Sequence, residues 1–440
     1  MFISSLDKKF NLKEDFGKLL FDLGIFFLPT AISFSIVFLL ISSIKNFYKK
    51  DLLLADNWNK CFLLTTLLLF LSSLINYFDY DLLSKYPYIE NASFLIGLLN
   101  WIPLFIFFIG CQPYIKTRDL RRRASFLLLA GTFPVILFGI LQAFFEIYGP
   151  FKSPLGLIVW YQRPIPVDSF TDITSIFNNQ NYFGSWLNII WPFCLTISLV
   201  KIRSYFKKIF ALFFIISTPI FLVLTASRGA WLGLFFSLIL FFGKNSFKWL
   251  GPILLTIIFL CLSIIYPIFG YEFQKFLKDL IPFGLWINIL PNHYSNIPLE
   301  RFDIWNFAFQ KILERPLLGF GANTFPNILY GEIGRWRGHA HNLPLELAFS
   351  FGLPATISLI IPILSITFIS ISKFFIFTKN YFEKYNLEKA WLISLMFLLV
   401  NHLFDILYFD GRISIALWLL LAGVKNMITE TRNSQKEILT

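Results

Sequence analysis

The sequence predicts an all-α fold: a polytopic transmembrane bundle of about 10–12 spans with a large helical periplasmic loop. Three observations lead there. Of 440 residues, 56% are hydrophobic and only 15% are charged, whereas soluble domains carry about a quarter charged residues. Long stretches such as 209–224 and 253–265 hold no charge at all. These runs are continuous rather than alternating, which excludes a transmembrane barrel. Soluble enzymes, secreted disulfide scaffolds and disordered tails are excluded on the same grounds.

The elements follow in order. Residues 1–22 mix Lys, Asp and Glu with Phe and Leu, the pattern of an amphipathic interfacial segment rather than an export signal. Apolar runs then fill 23–269, starting with 23–44, which Pro29 interrupts. Residues 270–341 form a long connection, 342–428 return to the membrane, and 429–440 form a tail. The long connection contains a helical stretch from Arg301 to Leu313, with Ile304, Trp305, Ala308, Phe309 and Ile312 near helical spacing. It is expected to lie along the membrane surface. Glu314-Arg315-Pro316 and the glycines after it end that helix.

Charge sets the orientation. The connections 45–60, 116–123, 201–208, 244–248 and 373–389 and the C-terminal segment 425–436 hold 22 of the 38 Lys and Arg. The intervening loops 79–91, 146–181, 227–230 and 407–412 hold one, two, one and one. Basic connections face the cytoplasm, so the C-terminus is cytoplasmic and the intervening loops are outside. The N-terminal segment balances four Lys against four acids, and its side stays open. The net charge of +12 is mostly this topology signal. No basic soluble domain exists to hold a nucleic acid, so none is expected as a partner; membrane lipids are. Cys61, Cys111, Cys194 and Cys261 form no CxxC pair and read as small apolar packers.

Polar groups beside a bilayer need a partner or a task. Arg228, in Thr225-Ala226-Ser227-Arg228-Gly229-Ala230-Trp231-Leu232-Gly233, stands between two apolar runs. It reads either as a snorkelling arginine or as a bidentate phosphate ligand. Arg301 opens a helix, the wrong sign for the dipole, which favours a compensating anion. Asp303 in the first turn reads as a helix-start residue. In Arg335-Trp336-Arg337-Gly338-His339-Ala340-His341-Asn342, two of the four histidines precede an apolar helix that Asn342 is placed to cap. Zinc would need a third ligand that this stretch lacks, so no metal is expected. A neutral imidazole near pH 6.5 suits a general base instead, with Arg335 and Arg337 adding positive potential. Asn178-Asn179-Gln180-Asn181 reads as helix capping or as a binder of sugar hydroxyls through Asn181. Trp231, Trp305, Trp336 and Tyr182 read as an interfacial belt or as sugar and lipid contacts. Asp79-Tyr80-Asp81 reads either as a motif for metal-dependent glycosyl transfer or as a plain acidic outer loop.

Taken in order, these stretches resemble the O-antigen ligase family of membrane glycosyltransferases, which includes polysaccharide polymerases. Asn178–Tyr182 is similar to its Asn-Pro-Asn segment, with Gln180 in place of the proline. Thr225–Gly233 is similar to its Ser-Arg-Gly-x-Trp-Leu-Gly motif. Arg301, Trp305 and Pro316-Leu317-Leu318-Gly319-Phe320-Gly321 resemble its arginine-to-Pro-Leu-x-Gly-x-Gly stretch, and His341-Asn342 with Gly352 its His-Asn-x9-Gly pattern. The resemblance implies a bacterial inner-membrane enzyme. It implies transfer of a glycan from undecaprenyl diphosphate to a lipid or glycan acceptor, with inversion and without a cofactor or metal. It places essential arginines at Arg228 and Arg301 and the essential histidine at His341. Asn401-His402-Leu403-Phe404-Asp405 resembles relatives once linked to bicarbonate transport, which keeps a transport role as the alternative.

Overall fold

The structure, a computed structural model, describes residues 12–47, 54, 56–153, 156, 158–160, 172–199, 204–281, 285–286, 301–373 and 386–439. The first half of the expected amphipathic segment, residues 161–171 and 287–300 of the two long loops, and most of the basic connection 373–389 lie outside the described residues.

The described residues are helical almost throughout, and eight of their helical stretches are long and apolar enough to cross a membrane. In chain order the helices are α1 (Leu12–Phe27), α2 (Ile32–Phe47), α3 (Asn57–Tyr77), α4 (Tyr80–Lys85), α5 (Ala92–Ile96), α6 (Ile102–Cys111), α7 (Arg118–Phe145), α8 (Gln180–Leu199), α9 (Tyr205–Leu224), α10 (Arg228–Phe242), α11 (Phe247–Ile265), α12 (Tyr271–Leu280), α13 (Arg301–Glu314), α14 (Phe325–Ile333), α15 (Leu343–Ile371), α16 (Asn386–Asn401) and α17 (Gly411–Leu439). One two-stranded ribbon, β1 (Phe151–Lys152) and β2 (Val159–Trp160), pairs antiparallel. All four cysteines are free thiols.

The apolar run 23–44 is two helices, not one. Pro29 sits in the turn between α1 and α2, where a missing N–H and a fixed φ end a helix. The two helices pack together, and Ser35 donates to the Gly24 carbonyl at 2.7 Å. Trp160 caps that turn by donating to the Thr30 carbonyl. The other ends of the pair meet the opposite face: Gly17 lies against Tyr114 and Lys45, and Asn46 donates to the Gly110 carbonyl. The start of α1 therefore lies on the same face as the basic connection after α2.

That basic face is tied by buried ions. The Lys425 ammonium donates to Asn59 and Gln112 at 2.8 Å and pairs with Asp56 at 2.6 Å, joining α3, α6 and α17. Arg121 of α7 pairs with Glu430 at 2.6 Å. A buried cation is tolerated only with such partners.

A second, smaller core lies at the opposite end of the bundle. It joins Leu82, Tyr86, Phe94, Ile304, Ala308, Ile312, Phe320, Phe325 and Phe349. Ile304, Ala308 and Ile312 of α13 are thus covered by protein, from α4, α5, α14 and α15, while Phe302, Phe309 and Leu313 stay exposed. Arg315 at its C-terminal end pairs with Asp79, which also caps α4. Burial alone would raise the Asp79 pKa. The Arg315 guanidinium and the Leu82 N–H outweigh it and hold Asp79 below its ordinary value. Asp79 is therefore engaged in structure.

α15 breaks at Gly352, whose φ is +82°. The break frees backbone groups that must find partners. The 316–321 stretch supplies them. Phe320 N–H donates to the Phe349 carbonyl at 2.8 Å, Gly321 N–H to Ser350 at 2.9 Å, and Leu353 N–H to Pro316 at 2.7 Å. A Cβ on Gly352 would fall 2.2 Å from the Leu317 carbonyl. Gly352→Ala should therefore destabilise the protein by about 1–3 kcal/mol through backbone strain alone, seen as a lower unfolding midpoint in detergent. An unchanged midpoint would show that the clasp yields freely.

Candidate functional site

At the end of the bundle that carries the second core, four segments converge: the turn 339–342, the loop 402–410, the start of α8 and the start of α10. Backbone bonds clamp the first two. Leu343 N–H donates to the His402 carbonyl at 2.8 Å. Asn342 caps α15 by accepting from Leu345 N–H, and its amide donates to the Leu403 carbonyl at 3.0 Å. The capping expected of Asn342 is thus met, with a cross-link added. Glu346, buried one turn into α15, accepts the Ala340 N–H at 2.9 Å. These bonds hold His341 at φ +52°, a left-handed conformation that a non-glycine residue keeps only when its surroundings fix it.

His341 Nδ1 donates to Asp405 Oδ1 at 3.2 Å. A carboxylate oxygen accepts, so Nδ1 carries the proton and Nε2 keeps its lone pair. Asp405 is itself oriented. Its Oδ1 accepts from Ile406 N–H at 2.9 Å and its Oδ2 from the Asn181 amide at 3.3 Å. Burial would raise the Asp405 pKa, but the His341 hydrogen bond and the two nearby imidazoles hold it below the ordinary carboxylate value. Asn181 therefore reaches the site by orienting Asp405, a partner that its sequence position did not suggest.

The His339 ring lies 4.2 Å from that of His341, centre to centre, and its Nδ1 accepts the His341 N–H. Burial, and then the neighbouring His341 and Arg301, push its pKa down to about 4. The unfolded value is about 6.5. Between these values the unfolded chain binds a proton that the folded chain refuses, so stability falls as pH drops through the window. Thermal unfolding in detergent should show this loss between about pH 6.5 and 4, and His339→Gln should flatten it. An identical pH profile in the variant would contradict the burial argument.

His339, His341 and Asp405 each bring one ligand atom within 4.8 Å of the others. The third member lies 64 residues beyond the histidine pair, which hid the trio from a reading of the local stretch. Three such atoms suit a cation, although the same atoms serve the hydrogen bond just described.

The arginines flank this centre. Arg301 is the first residue of α13 and acts electrostatically on His339. Arg228 is the first residue of α10, behind the cap Ser227. The backbone of its neighbour Gly229 faces Asn401, which donates to Ser185 at 3.0 Å. Both guanidiniums are exposed and make no hydrogen bond or ion pair among the described residues. Trp305 is half-buried one turn from Arg301, and its Nε1 has no partner among the described residues. Arg337 is half-buried and donates to the Trp336 carbonyl, while Arg335 lies exposed just past α14. Arg412 was not singled out from sequence. It chelates Asp410 and covers the Phe177 ring at 3.7 Å, pinning the segment before α8.

Fold and site define a multi-pass helical membrane protein whose ionisable groups gather at one end of the bundle. Residues 210–360 match the sequence model described as O-Antigen ligase. The chain is similar to that family over this stretch, which contains Arg228, Arg301, His341 and Gly352. Asn181 and Asp405 lie outside that stretch. No curated protein matches the chain.

Proposed function

We propose that the protein is a membrane glycosyltransferase of the O-antigen ligase type. It transfers a glycan from undecaprenyl diphosphate to a lipid or glycan acceptor in the bacterial inner membrane. The alternation of basic connections orients the Lys- and Arg-rich face, with the C-terminus, toward the cytoplasm and the site toward the periplasm. Splitting the first run into α1 and α2 puts the start of α1 on the cytoplasmic side as well.

The observation that carries the reading is the oriented His341–Asp405 pair, flanked by two arginine-headed helix starts. Nε2 of His341 takes the proton from the acceptor hydroxyl as it attacks the anomeric carbon. The diphosphate leaves from the opposite face, so the centre inverts. Arg228 and Arg301 stabilise the charge that develops on the diphosphate. Each stands where a helix N-terminus adds partial positive charge, which favours an anion there. These cations supply what a metal would, and transfer is expected to survive chelation. Trp305, with Arg335, Arg337 and His339, forms the surface nearest the substrate.

A transport role would use a broken helix to expose backbone groups to a solute. α15 is broken, but the backbone of 316–321 fills the break. This favours the enzyme. The deciding experiment is a deletion strain examined for lipid-linked glycan. Accumulated long chains support a ligase, and accumulated single repeats a polymerase. No accumulation of either, with normal surface glycan, would refute glycosyl transfer.

A further inference from the structure

The proton transfer assigned to His341 and Asp405 leaves the His339 imidazole beside them without a chemical task. The three side chains offer one ligand atom each, all within 4.8 Å of one another. Zinc holds its ligands at about 2.0–2.2 Å, so a tetrahedral ion needs them about 3.4 Å apart. His341 Nδ1 and Asp405 Oδ1 already stand at 3.2 Å, and the His339 atom has only about 1 Å to close. Two imidazoles and one carboxylate suit zinc and its first-row neighbours. Magnesium and calcium take oxygen ligands instead.

The three groups are also held from behind. Asp405 accepts from the Ile406 N–H and the Asn181 amide. The His339 ring stacks on Phe409 at 5.8 Å. Glu346 accepts the N–H of Ala340, between the two histidines, and Asn342 ties the turn to Leu403. Partners of this kind orient metal ligands and raise affinity. All three side chains are only partly buried, so an ion from water can reach them.

We propose that a zinc ion binds His339, His341 and Asp405 and thereby switches the enzyme off. The consequence rests on the general-base reading of His341, and the site adds regulation to it. A neutral imidazole has one proton and one lone pair. An ion that takes Nδ1 sends the proton to Nε2, and an ion that takes Nε2 occupies the lone pair there. Either way no base is left for the acceptor hydroxyl. Arg301, which acts electrostatically on His339, opposes a cation here and keeps the binding reversible.

The test titrates zinc chloride into the full-length protein in detergent, freed of any histidine tag, and reads binding by calorimetry. One ion per chain should bind, and magnesium should not compete. His339→Gln and Asp405→Asn should each weaken binding more than about 100-fold, and Asn181→Ala, which removes an orienting bond, about tenfold. Arg301→Ala removes the opposing charge and should tighten it. Zinc should inhibit wild-type transfer, and a chelator should restore it. In His339→Gln, scored against that variant's own metal-free rate, the inhibiting concentration should rise as the affinity falls. Absence of one-site binding overturns the proposal. So does binding that survives in His339→Gln and Asp405→Asn, or that weakens in Arg301→Ala. Transfer that a chelator abolishes and zinc restores also overturns it, because the ion would then be catalytic. If zinc binds as expected to a protein that transfers no glycan, the site stands and the transfer reading falls. If transfer proceeds and zinc neither binds nor inhibits, the reverse holds.

Discussion

His341→Ala should abolish glycan transfer while the protein still inserts and folds. A positioned general base contributes about 10²–10⁴-fold, and nothing beside His341 can replace it. His339 is close, but its Nδ1 accepts the His341 N–H and burial keeps its pKa far below that of a useful base. Asp405 is held by three donors and kept ionised well below neutrality. It is a weak base and an acceptor already in use. Asp405→Asn tests the same machine from behind. An amide in that place can donate to Nδ1, turning the imidazole tautomer so that Nε2 carries the proton. The rate should then fall steeply with little change in KM, since the substrate touches His341 and not Asp405. Transfer is measured with purified enzyme, lipid-linked glycan and acceptor, with variants matched for membrane level. Wild-type rates in His341→Ala would end the general-base assignment.

The polytopic helical fold was legible because the bilayer demands it. Long apolar runs and alternating basic connections are direct consequences of hydrocarbon thickness and charge placement. Local chemistry was legible too: Asn342 announced a cap, and Arg228 and Arg301 stood out as charges without an obvious partner. What escaped is what three-dimensional closure creates. Asp405 lies in a short loop between two apolar helices, in a motif that pointed to transport-linked relatives and not to His341. Only the clamp of Leu343 and Asn342 onto residues 402–403 brings it to His341. Gly352 and the 316–321 stretch read as two separate motifs, yet they are two halves of one backbone clasp. That clasp explains why glycine is needed at both Gly319 and Gly352, where an added Cβ would meet carbonyl oxygens at 2.5 and 2.2 Å. The sequence of α13 showed an apolar face but not what covers it, since lipid and the second core satisfy the same periodicity. The 23–44 run, interrupted by Pro29, reads as one span or as a re-entrant segment, because hydropathy averages over the turn.

Arg228→Ala and Arg301→Ala should each lower transfer about 10²–10³-fold, the usual effect of removing one donor from a charge-stabilising site. The argument begins with their cost. A guanidinium at position one of a helix opposes the macrodipole, and neither arginine recovers this through an ion pair among the described residues. A bound diphosphate reverses the sign of the effect. Each helix start then presents a fork of N–H donors and a partial positive charge to the same dianionic group. Lysine keeps the charge but not the fork, so Arg228→Lys and Arg301→Lys should recover only part of the rate. If both arginines serve one diphosphate, the double alanine variant should lose less than the product of the single losses, because the effects of residues acting as a unit do not multiply. Multiplicative losses would place the arginines on separate groups, such as the diphosphate and an acidic acceptor. Normal surface glycan in both single variants, at equal membrane levels, would remove the diphosphate from this site altogether.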